Sequence, residues 1–196
     1  MIIGCDIDGV LTDLETYQLS TGEKYYKRPP VNVKGYKTWQ IFGVTEKDDE
    51  RFWADNIFDY AKNLPVKKGA PEVINKLRND GHKFVFVTAR TYTAENTEKG
   101  EEMRNVVYNW LKDNGVNYDD IVFSTEDKEK ICIDLKLDLM IEDSPYNVSY
   151  LKKHMPVICM EAGYNECCRG DGVITCKDWS CVYDAVLKIA ENDKNR

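Results

Sequence analysis

The stretch Ile2-Ile3-Gly4-Cys5-Asp6-Ile7-Asp8-Gly9-Val10 joins an apolar run to two carboxylates and a glycine. A continuous apolar run without polar alternation reads as a strand buried on both faces. Gly9 lets the chain turn sharply, so that Asp6 and Asp8 can serve one site. Taken alone, Asp-x-Asp-Gly is shared by calcium loops and by surface turns. Here it abuts a strand, an arrangement foreign to an EF-hand loop.

Four further runs follow the same rule. Phe84–Val87 stops at Thr88, Ile121–Phe123 at Ser124, and Leu139–Ile141 at Glu142 and Asp143; Pro156–Cys159 is the last. Helical patterns lie between them. Val73, Ile74 and Leu77 form one stripe; Met103, Val106, Val107, Trp110 and Leu111 form another, closed by Asn114-Gly115; Val182, Ala185, Val186, Ile189 and Ala190 repeat the spacing. Strand and helix alternation predicts an α/β fold, a Rossmann-like three-layer sandwich around a parallel sheet. Ligands of such sheets bind beyond the carboxyl ends of the strands. Asp6, Asp8, Thr88, Glu142 and Asp143 all fall there.

Converging carboxylates repel one another, and a hard dication is the usual remedy. Oxygen-only ligands select Mg2+. One carboxylate of such a site can attack a phosphoryl group. A second can protonate the leaving oxygen and then activate water.

Residues 14–68 interrupt the alternation. Thr45 and Asp48 fit a capping box, and Trp53, Ile57, Tyr60, Ala61 and Leu64 make an amphipathic helix that Pro65 ends. The segment reads as a helical insert, with core residues 1–13 and 69–196 on either side. It is rich in aromatics. Trp39 and Phe42 are three apart in a short helical stretch and share a face, which makes them candidates for stacking on a substrate. Phe52 and Trp53 cannot both face inward, because adjacent helical residues point about 100° apart.

Twenty-seven Lys and Arg against 34 Asp and Glu give a net charge of −7 with no basic block, which excludes a general binder of nucleic-acid polymers or membrane surfaces. No apolar run approaches the roughly 18 residues of a membrane span. MIIGCDIDG lacks the basic region of an export signal, so a cytoplasmic protein is expected. The seven cysteines then read as reduced thiols. They contain no Cys-x-x-Cys pair and read as small buried or surface thiols rather than as a zinc site.

Asp6-Ile7-Asp8-Gly9-Val10, Thr88-Ala89-Arg90, a downstream lysine and Ile141-Glu142-Asp143-Ser144 resemble, in order, the four motifs of the haloacid dehalogenase (HAD) superfamily. The insert after the first motif matches the position of that family's C1 cap. With Ala162-Gly163-Tyr164-Asn165 near the end, the chain is most similar to the cytosolic type C 5′(3′)-deoxyribonucleotidases and their bacterial relatives. The resemblance implies that Asp6 is nucleophile and Mg2+ ligand, that Asp8 is acid/base with its carbonyl on the metal, and that Asp143 completes the metal ligands. Glu142 stands where the family usually carries Asp or Gly. The resemblance also implies that Thr88 binds phosphate, with Gly9, Ala89 and Arg90 on the substrate side, although Arg90 is equally able to pair with a surface acid.

Lys128 and Lys130 both stand where the motif lysine is expected. Lys128 lies three, four and seven residues before Ile131, Cys132 and Leu135, on the inner face of the same helix, whereas Lys130 points away. The expected protein is a Mg2+-dependent phosphomonoesterase that works through an aspartyl-phosphate on a small-molecule phosphomonoester, a 5′-nucleotide first. A sugar phosphate is the rival substrate. A non-catalytic phospho-acceptor module is the rival from another class. The oligomeric state is left open.

Overall fold

In the computed structural model, which describes residues 1–124 and 127–194, the opening apolar run forms β1 (Ile2–Cys5). Three helices follow it: α1 (Leu14–Tyr26), α2 (Thr38–Phe42) and α3 (Glu46–Asn63). Alternation then sets in, with α4 (Ala70–Asn79), β2 (Lys83–Thr88), α5 (Glu98–Asp113), β3 (Asp120–Phe123), α6 (Lys128–Asp134), β4 (Leu139–Glu142) and α7 (Pro145–Leu151). The chain continues through β5 (Val157–Met160), a 3-10 turn over Gly163–Cys168, β6 (Val173–Cys176) and α8 (Trp179–Lys194).

The strands pair in the order β3-β2-β1-β4-β5-β6, every neighbour parallel. β2 shows why the runs lack polar alternation. Phe84 and Phe86 enter one core with Leu77, Trp110 and Val182 from α4, α5 and α8. Val85 and Val87, one residue out of phase, enter a second core with Cys132, Val148 and Leu151 from α6 and α7. Both faces of the sheet are thus covered, and the fold is the expected three-layer α/β sandwich.

The expectation of five strands is corrected to six. β6 is a four-residue edge strand, mostly half-buried, so it lacks the apolar density of an inner strand. α1 is a further addition. Its buried positions are Leu14, Tyr17, Gln18 and Gly22, a face too mixed to show a hydrophobic period. The signal that is present is Asp13, whose side chain caps the helix by accepting from the Thr16 amide at 3.1 Å. The capping box on α3 is formed as expected, Thr45 Oγ1 accepting from the Asp48 amide and Asp48 Oδ2 from the Thr45 amide.

α1 and α3 share an apolar interior of Leu14, Tyr17, Phe52, Ile57, Tyr60 and Ala61, which meets the sheet domain at Met103 of α5. The strand order reverses direction between β1 and β4, which is where open parallel sheets bind ligands. Among the described residues no helix is long and apolar enough to cross a membrane.

Candidate active site

Asp6 directly follows β1, Glu142 ends β4 and Asp143 follows it. All three are buried, and each offers a carboxylate oxygen within 4.8 Å of the others. Their partners differ. Asp6 Oδ1 accepts from the Ile7 amide at 2.8 Å, and Oδ2 lies 3.0 Å from Lys128 Nζ. Glu142 Oε1 accepts from the amides of Asp143 and Ser144, both at 3.1 Å; its Oε2 accepts from Lys128 Nζ at 2.9 Å and from Asn147 Nδ2 at 3.2 Å. Asp143 Oδ2 accepts from the Tyr164 hydroxyl, while its Oδ1 is buried without any partner.

The electrostatics follow from these partners. Burial pushes the Asp6 carboxyl up to about 8 although Lys128 opposes it. Burial and then Glu142 raise Asp143 far above the carboxylate range. Burial also works against charge on Glu142, but Lys128 and the backbone donors outweigh it and hold that carboxyl low. Glu142 is therefore a satisfied anion. Asp143 keeps one oxygen free beside Asp6, and a buried oxygen without a donor is costly unless something supplies positive charge. An all-oxygen set of this kind fits a hard divalent cation.

Lys128 is buried in the first turn of α6, and Lys130 on the same helix is exposed, as the helical phase requires. Burial works against charge on Lys128, but Asp6 and Glu142 outweigh it and hold the ammonium well above the usual lysine range. Arg90 is buried as well. Its Nε and Nη2 donate to the Asp8 carboxylate, and its guanidinium lies 5.5 Å over the Tyr60 ring. Its partner is thus the second acid of the site rather than a surface acid. Arg90 Nη1 and Thr88 Oγ1 are buried with no partner.

Gly9 is required by both its backbone and its space. It sits at φ +78°, and a Cβ there would lie 1.9 Å from Asp143 Oδ2. Gly9→Ala should therefore displace Asp143, lowering turnover and thermal stability together. An alanine variant with wild-type kinetics would show that the approach of this loop to Asp143 is not needed.

Asp6, Asp8, Ala89, Arg90 and Lys128 open into a cavity of about 370 Å³, within the size range of small-molecule sites. Leu14, Gln18, Tyr36, Lys37, Trp53, Ile57 and Tyr60 contribute its other wall, and Thr91, Ser144, Tyr146 and Asn147 complete it. Tyr36 packs between Tyr146 and Tyr164, ring centres 5.8 and 5.2 Å away.

Residues 1–192 match the model of the family described as 5′ nucleotidase, deoxy (pyrimidine), cytosolic type C protein. The chain belongs to this family. As a member of the type C nucleotidase family it is a hydrolase of phosphomonoesters on a HAD fold. It is 25% identical over 192 residues to a Chlorobaculum tepidum protein described as "Putative 5′(3′)-deoxyribonucleotidase", covering 95% of this chain and 90% of that one. Among solved structures it resembles a phosphonoacetaldehyde hydrolase-like protein of Oleispira antarctica (TM-score 0.64, 13% identity, 96% of this chain and 91% of that one). It also resembles a D,D-heptose 1,7-bisphosphate phosphatase of B. bronchiseptica, solved with magnesium and phosphate (TM-score 0.53, 14% identity, 96% and 99%).

Within this nucleotidase-family chain, Asp6, Asp8, Gly9, Thr88, Ala89, Arg90 and Asp143 lie at or just past the ends of β1, β2 and β4, and Lys128 in the first turn of α6 meets Asp6 and Glu142 there. Trp39 and Phe42 do not reach the cavity, and the stacking expectation placed on them is corrected. Phe42 is fully buried against Tyr26 and Gly22, where a Cβ would come within 2.3 Å of its ring. Trp39 is half-buried and absent from the lining. Helix phase explains the miss: three-residue spacing puts two rings on one side of α2 without saying which side the cavity takes. Phe52 and Trp53 divide as adjacent helical residues must, Phe52 into the interior and Trp53 into the cavity wall. Tyr164, Asn147 and Gln18 are additions to the site. Tyr164 stands in the quoted Ala162–Asn165 stretch; no local pattern marks the other two.

Proposed function

We propose that this chain is a 5′-nucleotidase of nucleoside monophosphates, deoxynucleotides among them, and that Asp6 is its nucleophile. One observation carries the reading: a single cavity joins Asp6, Asp8 and Lys128 to the aromatic rings of Tyr36, Trp53 and Tyr146. A phosphate at the carboxylates leaves a base within reach of those rings. The family and the Chlorobaculum relative support the same substrate class. A chain of this kind would act in the cytoplasm on free nucleotides.

Asp6, Asp143 and the backbone carbonyl of Asp8 would hold Mg2+, which would supply positive charge to the phosphate oxygens. The chain's own groups do the rest. The Asp6 carboxylate attacks phosphorus while Asp8 gives its proton to the leaving ester oxygen. Asp8 then takes a proton from water, which attacks the aspartyl-phosphate and releases phosphate. The two Arg90 donors hold Asp8 in place through both steps. Lys128 offsets the charge of Asp6, and the Thr88 hydroxyl donates to phosphate. Residues 14–68 act as a cap that excludes water and chooses the base.

Three measurements test this. In a phosphate-release screen with magnesium, a nucleotide should turn over fastest; a sugar phosphate outrunning every nucleotide would overturn the substrate class. Excess chelator should abolish turnover and Mg2+ should restore it, with Asp143→Ala raising the Mg2+ requirement sharply. Full activity in excess chelator would sink the metal assignment. Trp53→Ala and Tyr146→Ala should each lower kcat/KM for nucleotides about tenfold to hundredfold, the ~1–3 kcal/mol of one stacking contact, and leave p-nitrophenyl phosphate nearly unchanged. Phe42→Ala, a packing change, should lower thermal stability and reduce both substrates in parallel. A parallel loss in the Trp53 and Tyr146 variants would remove the stacking role.

A further inference from the structure

Five of the seven cysteines lie along one end of the sheet, on β5, the turn after it, β6 and α8. Two of them meet. The Sγ atoms of Cys176, the last residue of β6, and Cys181, in the first turn of α8, are 2.6 Å apart. That separation exceeds the ~2.05 Å of an S–S bond by only about 0.6 Å. Both are free thiols. The segment between them is fixed, since the Cys181 amide donates to Asp178 Oδ1 at 2.9 Å and the Cys176 carbonyl accepts from the Glu161 amide at 2.8 Å.

The two thiols differ in access. Cys176 is fully buried. Cys181 is half-exposed and lines a surface cavity with Glu161, Arg169, Thr175 and Lys177. Among the described residues none lines both this cavity and the one that holds Asp6.

We propose that Cys176 and Cys181 are a reversible modification site, a dithiol that a small peroxide closes into an intramolecular disulfide. Hydrogen peroxide meets Cys181 first. The sulfur attacks one peroxide oxygen, the O–O bond breaks, and Cys181 sulfenic acid and one water result. The Cys176 thiol then attacks the Cys181 sulfur, the S–O bond breaks and a second water leaves. The two thiols have lost two electrons and two protons, and the peroxide has been reduced to two waters. A small-molecule dithiol reverses the change by exchange and is itself oxidised. Burial pushes the Cys176 thiol up, which keeps it protonated and leaves the first attack to Cys181. The covalent tie joins the end of the last strand to the start of the last helix, away from the carboxylates, so hydrolysis should continue in both redox states.

Trypsin cuts at Lys177, between the two sulfurs, and so makes the bond readable. The purified protein is treated with hydrogen peroxide, its remaining thiols are alkylated, and it is digested. The expected product is the peptide Gly170–Lys177 linked to Asp178–Lys188, lighter by two hydrogens than the separate peptides and lost on reduction. Phosphate release before and after oxidation should be equal. Cys181→Ser, a change at a half-exposed position, should abolish the link. The proposal is overturned if Cys176 and Cys181 are both recovered alkylated under conditions that oxidise exposed Cys167. It is equally overturned if the disulfide maps to Cys159 and Cys168, or joins two chains.

Discussion

Asp6→Asn is expected to fold as the wild type does and to lose turnover by on the order of 10⁴-fold or more, the scale seen when a covalent nucleophile is removed. The amide has the shape of the carboxylate, so the loop from Asp6 to Gly9 keeps its path. It cannot attack phosphorus to leave a hydrolysable acyl phosphate. The fold should survive because Lys128 retains Glu142 at 2.9 Å as its other partner. Rapid quenching of the wild type with labelled substrate should trap label on Asp6, and the variant should trap none. Wild-type turnover in the Asp6→Asn protein would end the covalent mechanism.

Lys128→Met carries the largest expected cost in stability. The side chain sits between Asp6 and Glu142, both buried, at 3.0 and 2.9 Å. Removing one partner of a buried ionic cluster leaves uncompensated charge and costs about 3–5 kcal/mol. For a chain of this size each kcal/mol lowers Tm by about 2–4 °C, so a fall of roughly 6–20 °C is expected. Measuring in excess chelator isolates the lysine from any bound cation. Lys130→Met, two residues away and exposed, should stay within about 0.5 kcal/mol of wild type. If both variants melt like the parent, Lys128 does not hold the carboxylates together.

The contrast between these two lysines shows what a sequence can disclose about this site. Strand ends are legible because apolar runs stop abruptly at Asp6, Thr88 and Glu142, and the parallel fold sends all those ends to one place. Lys128 is legible because helix phase distinguishes it from Lys130. The partner of Arg90 is not, since nothing local says which acid lies across a gap of 82 positions, from residue 8 to residue 90. The helical segment 14–68 is harder still. Its rings divide between its own interior and the cavity, and only tertiary packing tells Phe42 from Trp53. α1 hides behind a buried face that carries a glutamine and a glycine.

The position of β1 has a kinetic consequence. It lies between β2 and β4, pairing with Lys83–Phe86 on one side and Leu139–Ile141 on the other. The strand that presents Asp6 thus leaves the ribosome with neither neighbour yet made, and its second neighbour is contributed from residue 139 onward. Parallel pairing over such separations incurs loop-closure entropy before any contact repays it, which slows folding. Until β4 docks, the edge of β1 stays open to other chains, so nascent protein should be most vulnerable to aggregation while translation runs between β2 and β4.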